Sequence, residues 1–277
     1  MTHDILDPVS VATAVPPARL RAVGLSVGYG DQPVVKDLDL DLVDHAITTV
    51  IGPNGCGKST LLRSLGRLLR PAAGQVLLDG KRIDKLPTKQ VATELALLPQ
   101  SPIAPEGLVV RDLVARGRHP QQSWLRQWSA DDERVVDETL AWTSMTELAD
   151  RPIDQLSGGQ RQRAWIAMAL AQQTDLVLLD EPTTYLDLSH QIDVLDLART
   201  LNRDHGRTVV MVLHDLNLAA RYSDCMVAMR DGEIVASGEP AAVITPALLR
   251  EVFSLDAQVI EDPVTGKPMV VPIGCVR

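Results

Sequence analysis

Aromatic residues are scarce in this chain of 277 residues: four Trp, three Tyr and the lone Phe253 make up 3% of it. Each of them therefore needs a reason for its place. Lysine is also rare, with six against 21 arginines. The three cysteines, Cys56, Cys225 and Cys275, are odd in number and far apart, which gives no disulfide framework. No uncharged apolar run reaches the roughly 18 residues that a membrane-spanning helix needs. The opening MTHDILDPVSVATAVPPARL has neither a basic start nor an apolar stretch, so no signal peptide is expected, and the chain reads as cytosolic. Positive charge is short overall. The formal net charge of -9 repels polyphosphate backbones and argues against a general nucleic-acid binder, though not against a small anion held by local backbone donors. The remainder, 45% hydrophobic and 23% charged, has the texture of a globular protein of one large domain.

Residues 1–18 lack periodicity and end in Pro16-Pro17, which reads as a loose leader. Strand patterns follow over 21–29 and 34–42, and the apolar run 46–51 enters a glycine-rich turn. Beyond it Leu61, Leu62, Leu65, Leu68 and Leu69 recur at helical spacing, predicting a helix up to Pro71. A hairpin strand is expected at 76–78, before Asp79-Gly80. From about 101 to 156 the texture becomes charged and helical, as in an inserted subdomain. Short apolar runs at 175–180 and 208–213 fit strands buried on both faces of a parallel sheet, with an amphipathic helix at 188–202 between them. The end, 256–277, reads as a hairpin tail turning at 262–267.

Three segments carry chemistry. Gly52-Pro53-Asn54-Gly55-Cys56-Gly57-Lys58-Ser59 fits G-x-x-x-x-G-K-[S/T] between a strand and a helix. Its glycines let successive N–H groups point inward at phosphate oxygens, and the helix start adds its positive end. Lys58 can then reach the outer phosphates, Ser59 can ligate Mg2+, and Thr60 helps close the helix start. At the end of a second strand come Asp180, placed to hold Mg2+ through water, and Glu181, placed to polarise an attacking water. The third segment, Ser157-Gly158-Gly159-Gln160, opens a helix with bare backbone and forms another anion site. Two phosphate-type sites about 100 residues apart are one too many for a single nucleotide.

LSGGQ, together with GPNGCGKST and LVLLDEP, resembles the nucleotide-binding subunit of ABC (ATP-binding cassette) transporters, over residues 20–255 with every motif in order. The resemblance implies an α/β P-loop NTPase core at 19–255, with an antiparallel β subdomain and an inserted α-helical subdomain. It implies a homodimer in which ATP lies between the phosphate loop of one chain and the LSGGQ of the other. By position, Tyr29 resembles the aromatic that stacks on adenine, and Gln100 the glutamine that senses Mg2+ and the attacking water. Leu186-Asp187 resembles the loop that crosses the dimer interface, preceded here by Tyr185 where many members have a smaller residue. His214 resembles the switch histidine on the γ-phosphate. Hydrolysis would be in-line attack of water, oriented by Glu181, with Lys58, Mg2+ and His214 offsetting charge. Alkylation of Cys56, inside the loop, is expected to block ATP binding.

With no spanning segment in the chain, the same resemblance implies separate membrane permease subunits and a place on the cytoplasmic face of the membrane. It also makes Arg111, Arg116, Arg118 and His119 a docking patch for the permease. Gly117-Arg118-His119-Pro120, the stretch 124–129 and the tail 262–266 are similar to ATPases of ferric-siderophore importers, which work with an extracellular binding protein. Haem or cobalamin import, or a single-cassette ABC ATPase outside transport, are the alternatives. A P-loop kinase or GTPase is disfavoured by LSGGQ and by the lack of an N-K-x-D motif. The six histidines show no metal-ligand spacing, so no metal beyond Mg2+ is expected.

Overall fold

The structure is a computed structural model that describes residues 18–30, 32–100, 104–122, 128–184 and 186–276. The leader up to residue 17, the 124–127 stretch and Tyr185 lie outside the described residues.

In chain order, β1 (Leu20–Tyr29) and β2 (Gln32–Asp41) form a hairpin, and β3 (Ile47–Ile51) leads into α1 (Lys58–Leu65). β4 (Ala73–Leu78) turns at Asp79-Gly80 into β5 (Lys81–Arg82), and α2 (Thr88–Glu94) precedes β6 (Leu95–Leu98). Then come α3 (Val110–Arg116), α4 (Ala130–Trp142) and α5 (Gly158–Ala171). β7 (Leu176–Leu179), α6 (Leu188–Arg203), β8 (Thr208–Val212) and α7 (Leu216–Tyr222) alternate as the sequence pattern implies. The chain ends with β9 (Cys225–Arg230), β10 (Glu233–Gly238), α8 (Pro240–Val243), α9 (Pro246–Phe253) and the hairpin β11 (Leu255–Glu261) and β12 (Pro268–Cys275).

The central sheet has the order β10-β9-β3-β8-β7-β6, parallel except for β10, and a separate antiparallel sheet has the order β2-β1-β4-β5. The central strands β3, β7 and β8 are buried along their whole length, and alternation assigns their side chains to two cores. Val50, Leu178, Val210 and Val212 pack with α1 and the antiparallel sheet, whereas Ile51, Val177, Leu179, Val209 and Met211 pack with α3, α5 and α6. Because the strands run parallel, the C-terminal ends of β3, β6, β7 and β8 reach one sheet edge. Such an edge is where ligands bind in open α/β sheets.

Two expectations require correction. The helix after the phosphate loop stops at Leu65 and not before Pro71. Arg67 takes a left-handed conformation (φ 61°), and Leu68 N–H and Arg67 N–H donate back to Arg63 O (2.7 Å) and Ser64 O (3.0 Å). That is a Schellman cap, and it leaves Leu68 65% exposed despite its helical spacing. The second concerns Arg118, read as part of a docking patch. It is buried, paired with Asp132 at 2.9 Å and donating to Ala171 O at 2.8 Å, so it holds α4 to the end of α5. Next to it, a Cβ on Gly117 would lie 2.2 Å from Met168 O, so backbone meets backbone where α3 ends against α5. Arg116 and His119 are exposed, while Arg111 reaches Glu133 (2.7 Å) and Asp137 (2.6 Å) on α4.

The tail pairs Gln258 with Val271, Val259 with Val270 and Ile260 with Met269. Asp262 shapes its turn, accepting from Val264 N–H and Thr265 Oγ1 at 2.9 Å each.

Candidate functional site

After β3 the chain needs conformations closed to most residues. Gly55 (φ 79°) and Gly57 (φ 106°) are left-handed, and a Cβ on Gly52 would lie 2.3 Å from Met229 O. The loop curls around the buried Lys58, whose Nζ donates to Gly52 O and Pro53 O, each at 2.9 Å. Helix α1 begins at Lys58, so its free N–H groups open on the same concavity. Cys56 turns the other way. Its side chain is in the core beneath the loop, and burial pushes its thiol up.

At the end of β7 the Asp180 carboxylate is fully buried, and burial pushes its carboxyl up. Its Oδ1 accepts from Ser59 Oγ at 2.7 Å, while Oδ2 has no hydrogen-bond partner among the described residues and faces Arg63 Nε at 3.8 Å. A hydroxyl beside a buried carboxylate with one unpartnered oxygen is a hard-oxygen donor set, the kind that suits Mg2+.

Glu181 follows in a left-handed conformation (φ 52°), a strained geometry for a non-glycine residue and common at functional sites. Three side chains converge on it. Gln100 Nε2 donates to Oε2 at 2.6 Å, Thr184 Oγ1 donates to the same oxygen at 3.1 Å, and His214 Nε2 lies 2.8 Å from Oε1. Gln100 comes from the end of β6 and His214 from the end of β8, so the sheet edge brings residues up to 114 positions apart onto one carboxylate.

The cleft above these groups is about 730 Å³, within the range of ligand pockets. Tyr29, Asn54, Gly55, Gly57, Lys58, Ser59, Thr60, Gln100, Glu181 and His214, all expected from the sequence, line it. Gly52, Pro53 and Cys56 build the loop from beneath, and Asp180 sits behind Ser59. Tyr29 presents a 55% exposed ring, with its hydroxyl accepting from Arg63 Nη1 at 3.2 Å.

Sequence reasoning missed Arg63, Thr184 and the wall residue Val34. Arg63 lies four residues after Ser59 on the same helix face, which was a readable signal. Thr184, three residues after Glu181, sits at hydroxyl-capping distance.

Ser157, Gly158, Gly159, Gln160 and Asp187 are not brought to this cleft. They form a second locus where α5 and α6 begin. Ser157 Oγ accepts from Gln160 N–H at 3.3 Å and Gln160 Oε1 accepts from Ser157 N–H at 3.1 Å, a capping box. Among the described residues a Cβ on Gly158 would meet nothing within 4 Å, and one on Gly159 would touch Leu186 at 3.4 Å. Asp187 caps α6, accepting from His190 N–H at 3.0 Å. The hydrogen bonds it accepts from His190 and Ser189 hold its carboxyl below the usual range.

Comparison with known proteins gives the family. Residues 35–184 match the family described as ABC transporter. The petrobactin import ATP-binding protein FpuD of Bacillus anthracis is 55% identical over 92% of this chain and 93% of its own. The ferric enterobactin transport ATP-binding protein FepC of Escherichia coli strain K12 is 51% identical over 93% of this chain and 95% of its own. Among solved structures, an ABC transporter in an inward-facing conformation superposes with TM-score 0.78 at 30% identity, covering 92% of this chain and 97% of that one. A dimeric ATP-binding cassette bound to ADP and phosphate superposes with TM-score 0.70 at 26% identity, covering 79% and 98%. Matched over more than half its length by that family and nearly end to end by those relatives, the chain belongs to the ABC transporter family, as one of its ATP-hydrolysing cassettes.

Proposed function

We propose that this chain is the ATPase subunit of an importer for iron chelates of the ferric-siderophore class, driving uptake through separate membrane permease subunits from the cytoplasmic face. The observation that carries the cargo class is the pair of relatives named for petrobactin import and ferric enterobactin transport, each matching nearly the whole chain. Among the described residues no helix is long and apolar enough to cross a membrane, so the pore would be lined by other chains. An extracellular binding protein would deliver the chelate to them.

In this reading two copies assemble head to tail. ATP sits between the phosphate loop of one copy and Ser157, Gly158, Gly159 and Gln160 of the other, with Asp187 at the crossing. Supporting this, Gly158 opens onto free space and the LSGGQ locus stands apart from the cleft of its own chain. Tyr29 stacks on the adenine, and the N–H groups of Gly55, Gly57 and Lys58 hold the phosphates. Ser59 and Asp180, with Gln100 nearby, would hold Mg2+, which when bound offsets charge on the phosphate oxygens. Glu181 orients the attacking water and takes its proton, and Lys58 and His214 stabilise the γ-oxygens. The contacts from Gln100, Thr184 and His214 fix the Glu181 carboxylate before the water arrives.

Uptake of radiolabelled ferric siderophores by intact cells tests the reading. Uptake is expected to vanish on deletion of the gene and to return with the native chain but not with Glu181→Gln. Unchanged uptake of every chelate in the deletion strain would remove the cargo assignment and turn the search to haem and cobalamin.

A further inference from the structure

The tail hairpin is tied to the helix that follows His214. We propose that Asn217 is a positioning residue for this histidine, through which the C-terminal hairpin sets the geometry of ATP hydrolysis. The inference deepens the reading of His214 as a γ-phosphate contact and rests on it.

The His214 side chain is 44% exposed, so besides its 2.8 Å contact with Glu181 Oε1 its direction depends on the backbone on either side. On the N-terminal side, Leu213 is buried and its N–H donates to Val50 O at 3.4 Å. On the C-terminal side, Asp215 Oδ1 caps α7, accepting from Asn217 N–H at 2.8 Å and Leu218 N–H at 2.9 Å. Buried Leu218, Ala219, Ala220 and Tyr222 seat the inner face of α7 in the core, which leaves its exposed first turn, next to His214, as the part still able to shift.

Asn217 holds that first turn. Its Nδ2 donates to Val270 O at 3.2 Å, and its Oδ1 accepts from Val270 N–H at 2.7 Å, across 53 residues of sequence. A primary amide carries one acceptor and paired donors in a plane, as a peptide does, so Asn217 pairs with β12 like a strand one residue long. Two bonds to one residue fix an orientation as well as a distance. The hairpin that supplies them is itself anchored, because Ala257 and Val270 are buried in the larger core. At the other end of α7, Lys267 Nζ donates to Ser223 O at 3.2 Å, and Arg221 Nε lies 3.6 Å from Asp262 Oδ2. The hairpin thus grips α7 at both ends, but only the Asn217 end adjoins the histidine.

The test is steady-state ATP hydrolysis by the full chain and its variants, assayed below the lowest melting temperature among them. Asn217→Ala is expected to lower kcat about tenfold through misplacement of His214. KM for ATP should stay within about twofold, because the lost contact acts in the transition state. Asn217→Asp, which keeps the acceptor and loses the donor, should fall between Asn217→Ala and the native chain. Lys267→Met loosens the same hairpin at the remote end and should leave kcat unchanged. In a His214→Ala background, Asn217→Ala should cost nothing further, since residues acting as a unit are not additive. The proposal is overturned if Lys267→Met lowers kcat as much as Asn217→Ala, or if Asn217→Ala lowers the residual rate of His214→Ala by the same factor. Either result would make the hairpin a prop for the fold alone while leaving the role of His214 intact. A native rate in His214→Ala would remove the histidine from the site, and this proposal with it.

Discussion

At the scale of single residues, the loop and the paired acids were legible because their chemistry is written in consecutive positions. Glycines at 52, 55 and 57 are needed by the backbone itself, and Asp180-Glu181 follows directly on an apolar strand. Arg63 left a signal in its helical spacing from Ser59 that went unread, whereas the role of Thr184 exists only once the chain turns back at residue 184. Cys56 was read by its neighbours and not by its direction. Its thiol is in the core and burial raises its pKa, so the thiolate that reacts with alkylating agents is depleted further at neutral pH. Alkylation of Cys56 in the native chain should therefore be slow, and unfolding in denaturant should release it. Maleimide labelling followed by mass spectrometry checks this, and fast labelling of Cys56 under native conditions would contradict it.

At the scale of elements, the short apolar runs of the buried strands were a safer guide than leucine spacing along α1. The central strands must present both faces to cores, whereas a helix is free to stop wherever a cap closes it, as Gly66-Arg67 does. Helix α7 and the strands β9 and β10 were not read from the sequence. The first is two turns long, and the other two declare themselves only by pairing. Arg118 shows how a charge in a polar segment can be structural. Burial alone would push the Asp132 carboxyl up, but hydrogen bonds from Ser129 and Arg118 outweigh it and hold it below the usual range. Because its folded pKa is depressed, this pair stabilises the helical subdomain above the ordinary carboxylate range, and that contribution fades as pH falls through the folded value. Arg118→Ala leaves the Asp132 charge buried and should cost about 3 kcal/mol or more of stability. Urea denaturation followed by circular dichroism measures it, and a change below about 1 kcal/mol would show that water replaces the guanidinium.

At the scale of the whole molecule, the proposed head-to-tail assembly joins the cleft of one copy to the LSGGQ locus of another. Glu181→Gln should still bind ATP, keep the water unactivated and hold the closed dimer, whereas Lys58→Ala should weaken ATP binding by about tenfold or more. Size-exclusion chromatography with and without ATP reads both. Glu181→Gln is expected to elute as a dimer with ATP and Lys58→Ala as a monomer, and full turnover by Glu181→Gln would place water activation elsewhere. The architecture around that cleft has a further consequence. Since β3, β7 and β8 send alternate side chains into separate cores, the sheet works as a partition between two interiors. Substitutions among α3 and α4 are repacked on one side, away from α1 and the antiparallel sheet, although Ile51 and Leu179 tie the ends of β3 and β7 to that same side. A lineage could thus refit the packing of α3 and α4, generation by generation, while α1 and the antiparallel sheet keep theirs.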